Sequence, residues 1–311
     1  MPDVGWAKAT YGTAAVLLSL LVAAPSAARA ADADPASGSA PSSQPRIVTV
    51  TGWYTPDPSS SITLYRPAGD GTSPAVLFVH GGAWGRSQPN SYELSWAREL
   101  AEQEGWLVAV IGYPTKVPRE HVAEPRAIAA AIDALAHRSD VDPHAIALWG
   151  ESAGGQLALL AAYRDAARLH PVVGGVVSIS GPTDMTTEYS SLAQTALGAV
   201  TRFEGLSPRA AQRARSARYR TTSPVHLVSR GDPATFQAIS RHDRLVPPGQ
   251  IGRLSRLLTL AHVTHQTVRL PGRAHSTTLE SQQPPGSEQT VQELAVRFLE
   301  RAFAARRVVF S

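Results

Sequence analysis

Apolar residues along this chain gather into short runs, and longer stretches with a helical repeat separate them. Ala75-Val76-Leu77-Phe78-Val79 and Leu107–Ile111 are unbroken apolar runs, as expected of strands buried on both faces of a parallel sheet. Ala145–Leu148 and Val172–Ser180 read the same way, and Ala234–Ile239 and Gln266–Leu270 are the last two strand candidates. Nearer the start, Ile47, Val48, Val50 and Trp53-Tyr54, then Ile62, Leu64 and Tyr65, predict two strands joined by a Pro/Ser turn. Helical patterns cover Ser91–Gln103, Arg126–His137 and Gln156–Ala162. The final helix is the clearest, because Val291, Leu294, Ala295, Phe298, Leu299, Ala302 and Phe303 share one face at a spacing of about 3.6 residues. Strands alternating with helices predict an α/β fold, a mostly parallel sheet with helices on both faces.

Two segments depart from the alternation. From Asp184 to about Arg230, after the sixth strand, weak helical patterns carry a basic run of Arg209, Arg213, Arg215, Arg218 and Arg220. This is read as a small helical insertion, either a cap over a site or a solvated face. At the other end, Lys8 precedes an apolar run from Thr13 to Ala24, with Pro25 and Ala28-Arg29-Ala30 behind it. A basic start, a short apolar middle and a small-x-small end predict a secretory signal peptide over residues 1–30, cut after Ala30. The run is short for a membrane span, so no stable anchor is expected after cleavage, and the location is secreted or extracytoplasmic. Residues 31–45 hold hardly any large apolar side chain and read as a flexible leader, leaving 46–311 as the folded domain.

Composition narrows the chemistry. Cysteine is absent, which removes thiol nucleophiles, disulfides, thiolate metal sites and lipidation behind the signal. The formal net charge of +4 is modest, and no nucleic-acid partner is expected. No compact His/Asp cluster suggests a metal. The pattern leaves the oligomeric state open.

What remains is a nucleophilic serine. Gly150-Glu151-Ser152-Ala153-Gly154 stands between the strand ending near Trp149 and the helix that follows. A strand turning abruptly into a helix leaves no room beside the turning residue, so small flanking residues are a steric need there. A serine hydroxyl also needs a base, and the base an acid. In a parallel sheet such groups collect at the carboxyl ends of strands. His275 follows the Gln266–Leu270 strand and is the expected base, ahead of His226, His242, His262 and His265. Asp243 and Asp184 each follow a strand. Asp243 is the assigned acid because its strand should neighbour the one delivering His275, which leaves Asp184 to cap a turn or shape the pocket. His80-Gly81-Gly82-Ala83-Trp84 follows the first buried strand, and backbone donors for an oxyanion are expected from Gly82, Ala83 and Ala153. His80 reads as a structural hydrogen-bonder. Trp84 and Glu151 are placed beside the substrate pocket, with burial in the core as the alternative for Trp84.

Together these stretches resemble the α/β-hydrolase fold. They are similar, more narrowly, to serine esterases and lipases with a His-Gly-Gly oxyanion loop, including bacterial carboxylesterases and feruloyl-esterase-like enzymes. The matching segments, in order, are His80–Trp84, Gly150–Gly155, Asp243–Pro247 and Gly272–His275. Ile239-Ser240 stands where that family usually has His-Gly, and Ala83 where many relatives have a third glycine. The resemblance implies an eight-stranded core and cofactor-free hydrolysis of carboxylic esters, small or polymer-linked, through an acyl-enzyme. Strands begin almost directly after the leader, so a long N-terminal cap is not expected. That favours short-chain or aromatic acyl groups. Amide, formamide or peptide hydrolysis by the same residues is the alternative, and a non-catalytic binding module is disfavoured because the triad is whole.

Overall fold

A computed structural model describes residues 46–116, 120–164, 172–186 and 217–310. Within it the eight expected strands form one sheet: β1 (Ile47–Trp53), β2 (Ser61–Pro67), β3 (Ser73–Val79), β4 (Leu107–Ile111), β5 (Val141–Glu151), β6 (Val173–Ile179), β7 (Ala234–Ser240) and β8 (His265–Leu270). Their order is β1-β2-β4-β3-β5-β6-β7-β8. β2 runs antiparallel to both its neighbours, and every other pairing is parallel. Register brings Val79 beside Gly150, Gly150 beside Ser178, Ile179 beside Ala238 and Ser240 beside Leu270. The loops after β3, β5, β6, β7 and β8 therefore leave from one edge of the sheet.

The period of two along each strand divides the core. Leu77 and Val79 of β3, with Ile146 and Leu148 of β5, face one apolar cluster. Val76 and Phe78, with Ala147 and Trp149, face the other. The first cluster is covered by α2 (Glu120–Ala136), α3 (Ala153–Arg164) and α5 (Gly249–Leu260), through Ile128, Ile132, Leu157, Leu160, Leu254 and Leu258. The second is covered by α1 (Ser91–Glu104) and α6 (Val291–Phe310), through Trp96, Leu100, Phe298, Leu299 and Phe303. Each large side chain buried this way contributes roughly 1.5–3 kcal/mol. A short helix, α4 (Ala217–Thr221), precedes β7.

Local chemistry sets several boundaries. Asn90 caps α1 in a reciprocal box with Glu93, and Gly105 ends it at φ 66°. Helix α2 begins at Glu120, six residues before the expected Arg126, and takes Pro125 inside it. Proline has no N–H for the carbonyl of His121 one turn back. An Arg164 guanidinium donates to that carbonyl instead, at 3.4 Å. Strand β5 also begins early, and Pro143 falls where its register against β3 slips between Val141 and Ile146, the kind of irregularity that tolerates proline in a sheet. Helix α5 has no counterpart in the sequence expectations. Parallel β7 and β8 require a crossover, and α5 supplies it.

Of the segment expected to form an insertion, residues 187–216 lie outside the described residues, including Arg209, Arg213 and Arg215. So do the signal peptide and the leader.

Candidate active site

The turn from β5 into α3 puts Ser152 between Glu151, the last strand residue, and Ala153, the first helical one. Its φ is 49°, a left-handed conformation that costs a non-glycine residue on the order of 1–3 kcal/mol. The neighbours hold it there. The Ser152 N–H donates to the Ile179 carbonyl at 2.8 Å, and the Ser152 carbonyl accepts from Gln156 N–H at 3.2 Å. A Cβ on Gly150 would lie 2.3 Å from the Gly154 carbonyl oxygen, and one on Gly154 would lie 2.0 Å from that of Val79. No side chain fits at either place.

His275 arrives on the loop after β8. Its Nε2 lies 2.9 Å from Ser152 Oγ, and its Nδ1 lies 2.7 Å from Asp243 Oδ2. Asp243 sits in the loop after β7, its carboxylate fully buried. The other oxygen, Oδ1, accepts backbone N–H groups from Leu245 at 2.8 Å and Val246 at 3.0 Å. With two amides and an imidazole donating to it, the carboxylate is held as an acceptor. The Nδ1 proton then belongs to His275, and Nε2 is left to accept from the Ser152 hydroxyl. The acid and base loops are also joined through their backbones: Arg241 N–H donates to the Leu270 carbonyl at 2.8 Å, and His242 N–H to that of Gly272 at 3.0 Å.

Asp184, the competing acid, is not brought to this histidine. It pairs with Arg253, and its Oδ1 accepts from Thr186 N–H at 2.9 Å in a local turn. His265, the first residue of β8, bonds with Ser255 and the Val263 carbonyl, at the opposite end of that strand from His275. Among the described residues no group of three or more His, Cys, Asp or Glu could hold a metal ion. No described helix is long and apolar enough to cross a membrane.

The loop after β3 crosses the nucleophile turn. A Cβ on Gly81 would stand 3.4 Å from Ser152 Cβ and 3.1 Å from the Glu151 carbonyl oxygen. Gly82, Ala83 and Trp84 follow with φ of 114°, 51° and 54°, three left-handed residues in succession that reverse the chain beside Ser152. Ala153 is the first residue of α3, where a helix has no internal acceptor for its N–H. His80 is wholly buried, stacked on Tyr113 with centroids 4.2 Å apart. Its Nδ1 meets the Gly81 carbonyl, and Tyr113 donates its hydroxyl to the His80 carbonyl, both at 2.7 Å. Burial pulls the imidazole pKa from 6.5 to about 4, so this ring is neutral.

The two side chains expected to line a pocket are placed otherwise. Trp84 is 3% exposed and belongs to the core, its indole N–H donating to Gln156 Oε1 at 3.0 Å. Gln156 in turn donates to the Thr222 carbonyl at 2.9 Å. The tryptophan is therefore a strut between the loop and α3, where the indole can bury its ring and still satisfy its N–H. Glu151 is 2% exposed, and its carboxyl lies beside that of Glu280, within hydrogen-bonding range. Burial raises its pKa well above the carboxylate range, and the nearby Glu280 adds to the rise. Glu280, which also accepts from Trp149 Nε1 at 2.8 Å, is raised for the same reason of burial. Glu280 is not among the residues expected from the sequence, since nothing in the Thr277-Thr278-Leu279-Glu280 pattern distinguishes it from a surface glutamate.

Comparisons with known proteins bear on the fold and the family. The BD-FAE family matches residues 62–258. The chain is 29% identical over 191 residues to the probable carboxylic ester hydrolase LipM of Mycobacterium tuberculosis (strain ATCC 25618 / H37Rv), covering 58% of this chain and 43% of that protein. It thus spans less than half the length of that relative. Among solved structures, esterase B from Lactobacillus Rhamnosis (HN001) superposes with a TM-score of 0.65 at 19% identity, over 85% of this chain and 88% of that one. Carboxyl esterase 2 from the mycorrhizal fungus Tuber melanosporum gives 0.63 at 20%, over 86% and 89%. At such identities these two likenesses establish the fold. The family match, by contrast, runs from β2 nearly to the end of α5 and takes in Ser152 and Asp243: the chain belongs to the BD-FAE family and has the α/β-hydrolase fold.

Proposed function

We propose that the protein hydrolyses carboxylic esters through an acyl-enzyme on Ser152. The observation that carries this reading is the continuous chain Ser152 Oγ, His275 Nε2, His275 Nδ1, Asp243 Oδ2, with links of 2.9 and 2.7 Å. The names of the relatives, a carboxylic ester hydrolase and two esterases, support it.

The reaction has two halves. Ser152 Oγ bonds to the ester carbonyl carbon while its proton passes to His275 Nε2, and the carbonyl π electrons move onto oxygen. Amide N–H groups of Gly82, Ala83 and Ala153 receive that oxyanion in this reading. One such donor is typically worth about 10²–10³ in rate. Collapse breaks the bond to the alkoxy oxygen, which takes the proton from His275 and departs as the alcohol. Water then attacks the acyl group, giving its proton to His275. The second collapse expels Ser152 Oγ, which recovers that proton, and the acid leaves. Asp243 holds the imidazole tautomer throughout and offsets the imidazolium charge.

Short-chain or aromatic acyl groups on small or polymer-linked alcohols are the proposed substrates. Residues 47–53 form a strand of the sheet itself rather than a cover over the site, which supports this. A p-nitrophenyl ester series peaking at long chains would reverse that choice. Export with cleavage after Ala30 is likewise proposed, and Edman sequencing of the mature protein should begin at Ala31. The central test is Ser152→Ala combined with fluorophosphonate labelling. Loss of both turnover and label is expected, and full esterase activity in the variant would refute the mechanism.

A further inference from the structure

Behind the nucleophile lies a buried set of charged groups that the reaction scheme does not use. Glu151 precedes Ser152 in the chain, and Glu280 follows the helical turn Ser276–Leu279 that begins directly after His275. Both are 2% exposed. Glu93, the first-turn carboxylate of α1, is equally buried but is taken by Arg86, whose guanidinium grips it at 2.6 and 2.7 Å. Arg86 also donates to the Gly81 carbonyl at 3.3 Å. From β5, Trp149 supplies one N–H to Glu280 Oε1, and Tyr92 of α1 lies within electrostatic range of both glutamates.

Neither Glu151 Oε1 nor Glu280 Oε2 meets a donor group from the rest of the protein. Yet the two carboxyls are within hydrogen-bonding reach of each other. Two carboxylates cannot hydrogen-bond, because both are acceptors only. A proton must lie between them, and a dry pocket containing two facing negative charges is otherwise costly.

We propose that Glu151 and Glu280 act together as positioning residues, with a single shared proton tying the chain behind His275 to the residue before Ser152. The link complements two others on the same turn, Ser276 N–H to Ser180 Oγ at 3.1 Å and Trp149 to Glu280. Together they fix where the imidazole stands relative to the serine hydroxyl. The proposal rests on the esterase reading for its consequence in turnover, though the shared proton itself does not depend on it. Burial raises the pKa of both groups, and Glu93 adds to the rise while Arg86 opposes it at Glu151. The proton is therefore held to a pH above the ordinary carboxylate range and is lost as the solution is made more alkaline. Its loss sets two charges against each other, opens the link and lowers kcat.

Three variants test this: Glu151→Ala, which cuts the link, and Glu151→Gln and Glu280→Gln, in which a side-chain amide replaces the shared proton as donor. Glu151→Ala should lower kcat roughly 10- to 100-fold with KM little changed, the signature of a misplaced catalytic group. Glu151→Gln should recover most of that loss and flatten the alkaline fall of the wild type. Infrared difference spectra at neutral pH should show a protonated-carboxyl band in the wild type that both glutamine variants lack. The band is read without substrate and survives even if the alanine variant does not fold. Wild-type kcat in Glu151→Ala, equal impairment in Glu151→Gln, or no spectral difference would each overturn the proposal. A wild-type protein showing the band but cleaving no ester would sink the esterase reading instead.

Discussion

Asp243 Oδ2 stands 2.7 Å from His275 Nδ1 while the loops that carry the two residues are laced together by paired backbone hydrogen bonds. The acid thus fixes both the proton and the place of the base. Asp243→Asn should keep the fold and lose activity, because an amide NH₂ facing Nδ1 moves the imidazole proton to Nε2, where it opposes the serine hydroxyl. By analogy with the serine-protease triad, kcat should fall about 10⁴-fold. Steady-state kinetics with circular dichroism as a folding control would check this.

Ser152 holds a left-handed φ of 49° for the sake of its hydroxyl. Ser152→Gly should be inactive yet more stable than Ser152→Ala by about 1 kcal/mol, since only glycine adopts that conformation without strain. Urea unfolding of the two variants side by side gives the difference.

His80 makes stability depend on acid. Its pKa drops from 6.5 to about 4 on folding, so between these values the unfolded chain binds a proton that the folded chain refuses. Its contribution is fully present above pH 6.5 and is lost as pH falls towards 4. The total is roughly 3 kcal/mol, since a tenfold difference in proton affinity between the two states corresponds to about 1.4 kcal/mol. Replacing the ring with the non-titrating amide of His80→Asn should flatten the stability profile in that window, as measured by denaturant unfolding at stepped pH.

Trp84→Phe tests the placement of the indole as a strut. Removing the donor from buried Gln156 Oε1 should destabilise the fold by about 1–3 kcal/mol, with KM for small esters unchanged. A large change in KM with unaltered stability would return Trp84 to the pocket wall.

Much of this arrangement could be read from the chain because strand-end positions are a one-dimensional property. Unbroken runs such as Ala75–Val79 mark buried strands, and Ser152, Asp243 and His275 each sit just beyond the carboxyl end of a strand. Helix α5 escaped for the opposite reason: Pro247-Pro248-Gly249 and Gly252 read as loop. Only the parallel pairing of β7 with β8, together with burial of Ile251, Leu254 and Leu258, reveals the helix. Pro125 misled in a similar way, since the carbonyl it strands is served by Arg164 from another helix. Trp84, Glu151 and Glu280 were hardest, because their partners Gln156 and Trp149 are chosen by tertiary approach, which no local pattern encodes.

The sheet order carries a last implication. Ser152 rides on the central strand β5, whereas His275 follows β8 at the outer edge and shares its anchorage with the acid loop. Edge strands open more readily than central ones. Warming should therefore peel acid and base away as an intact couple, stranding an unactivated alcohol on a folded centre. Heat inactivation would then run ahead of global melting, and rapid cooling of such samples would restore full turnover without any refolding of the core.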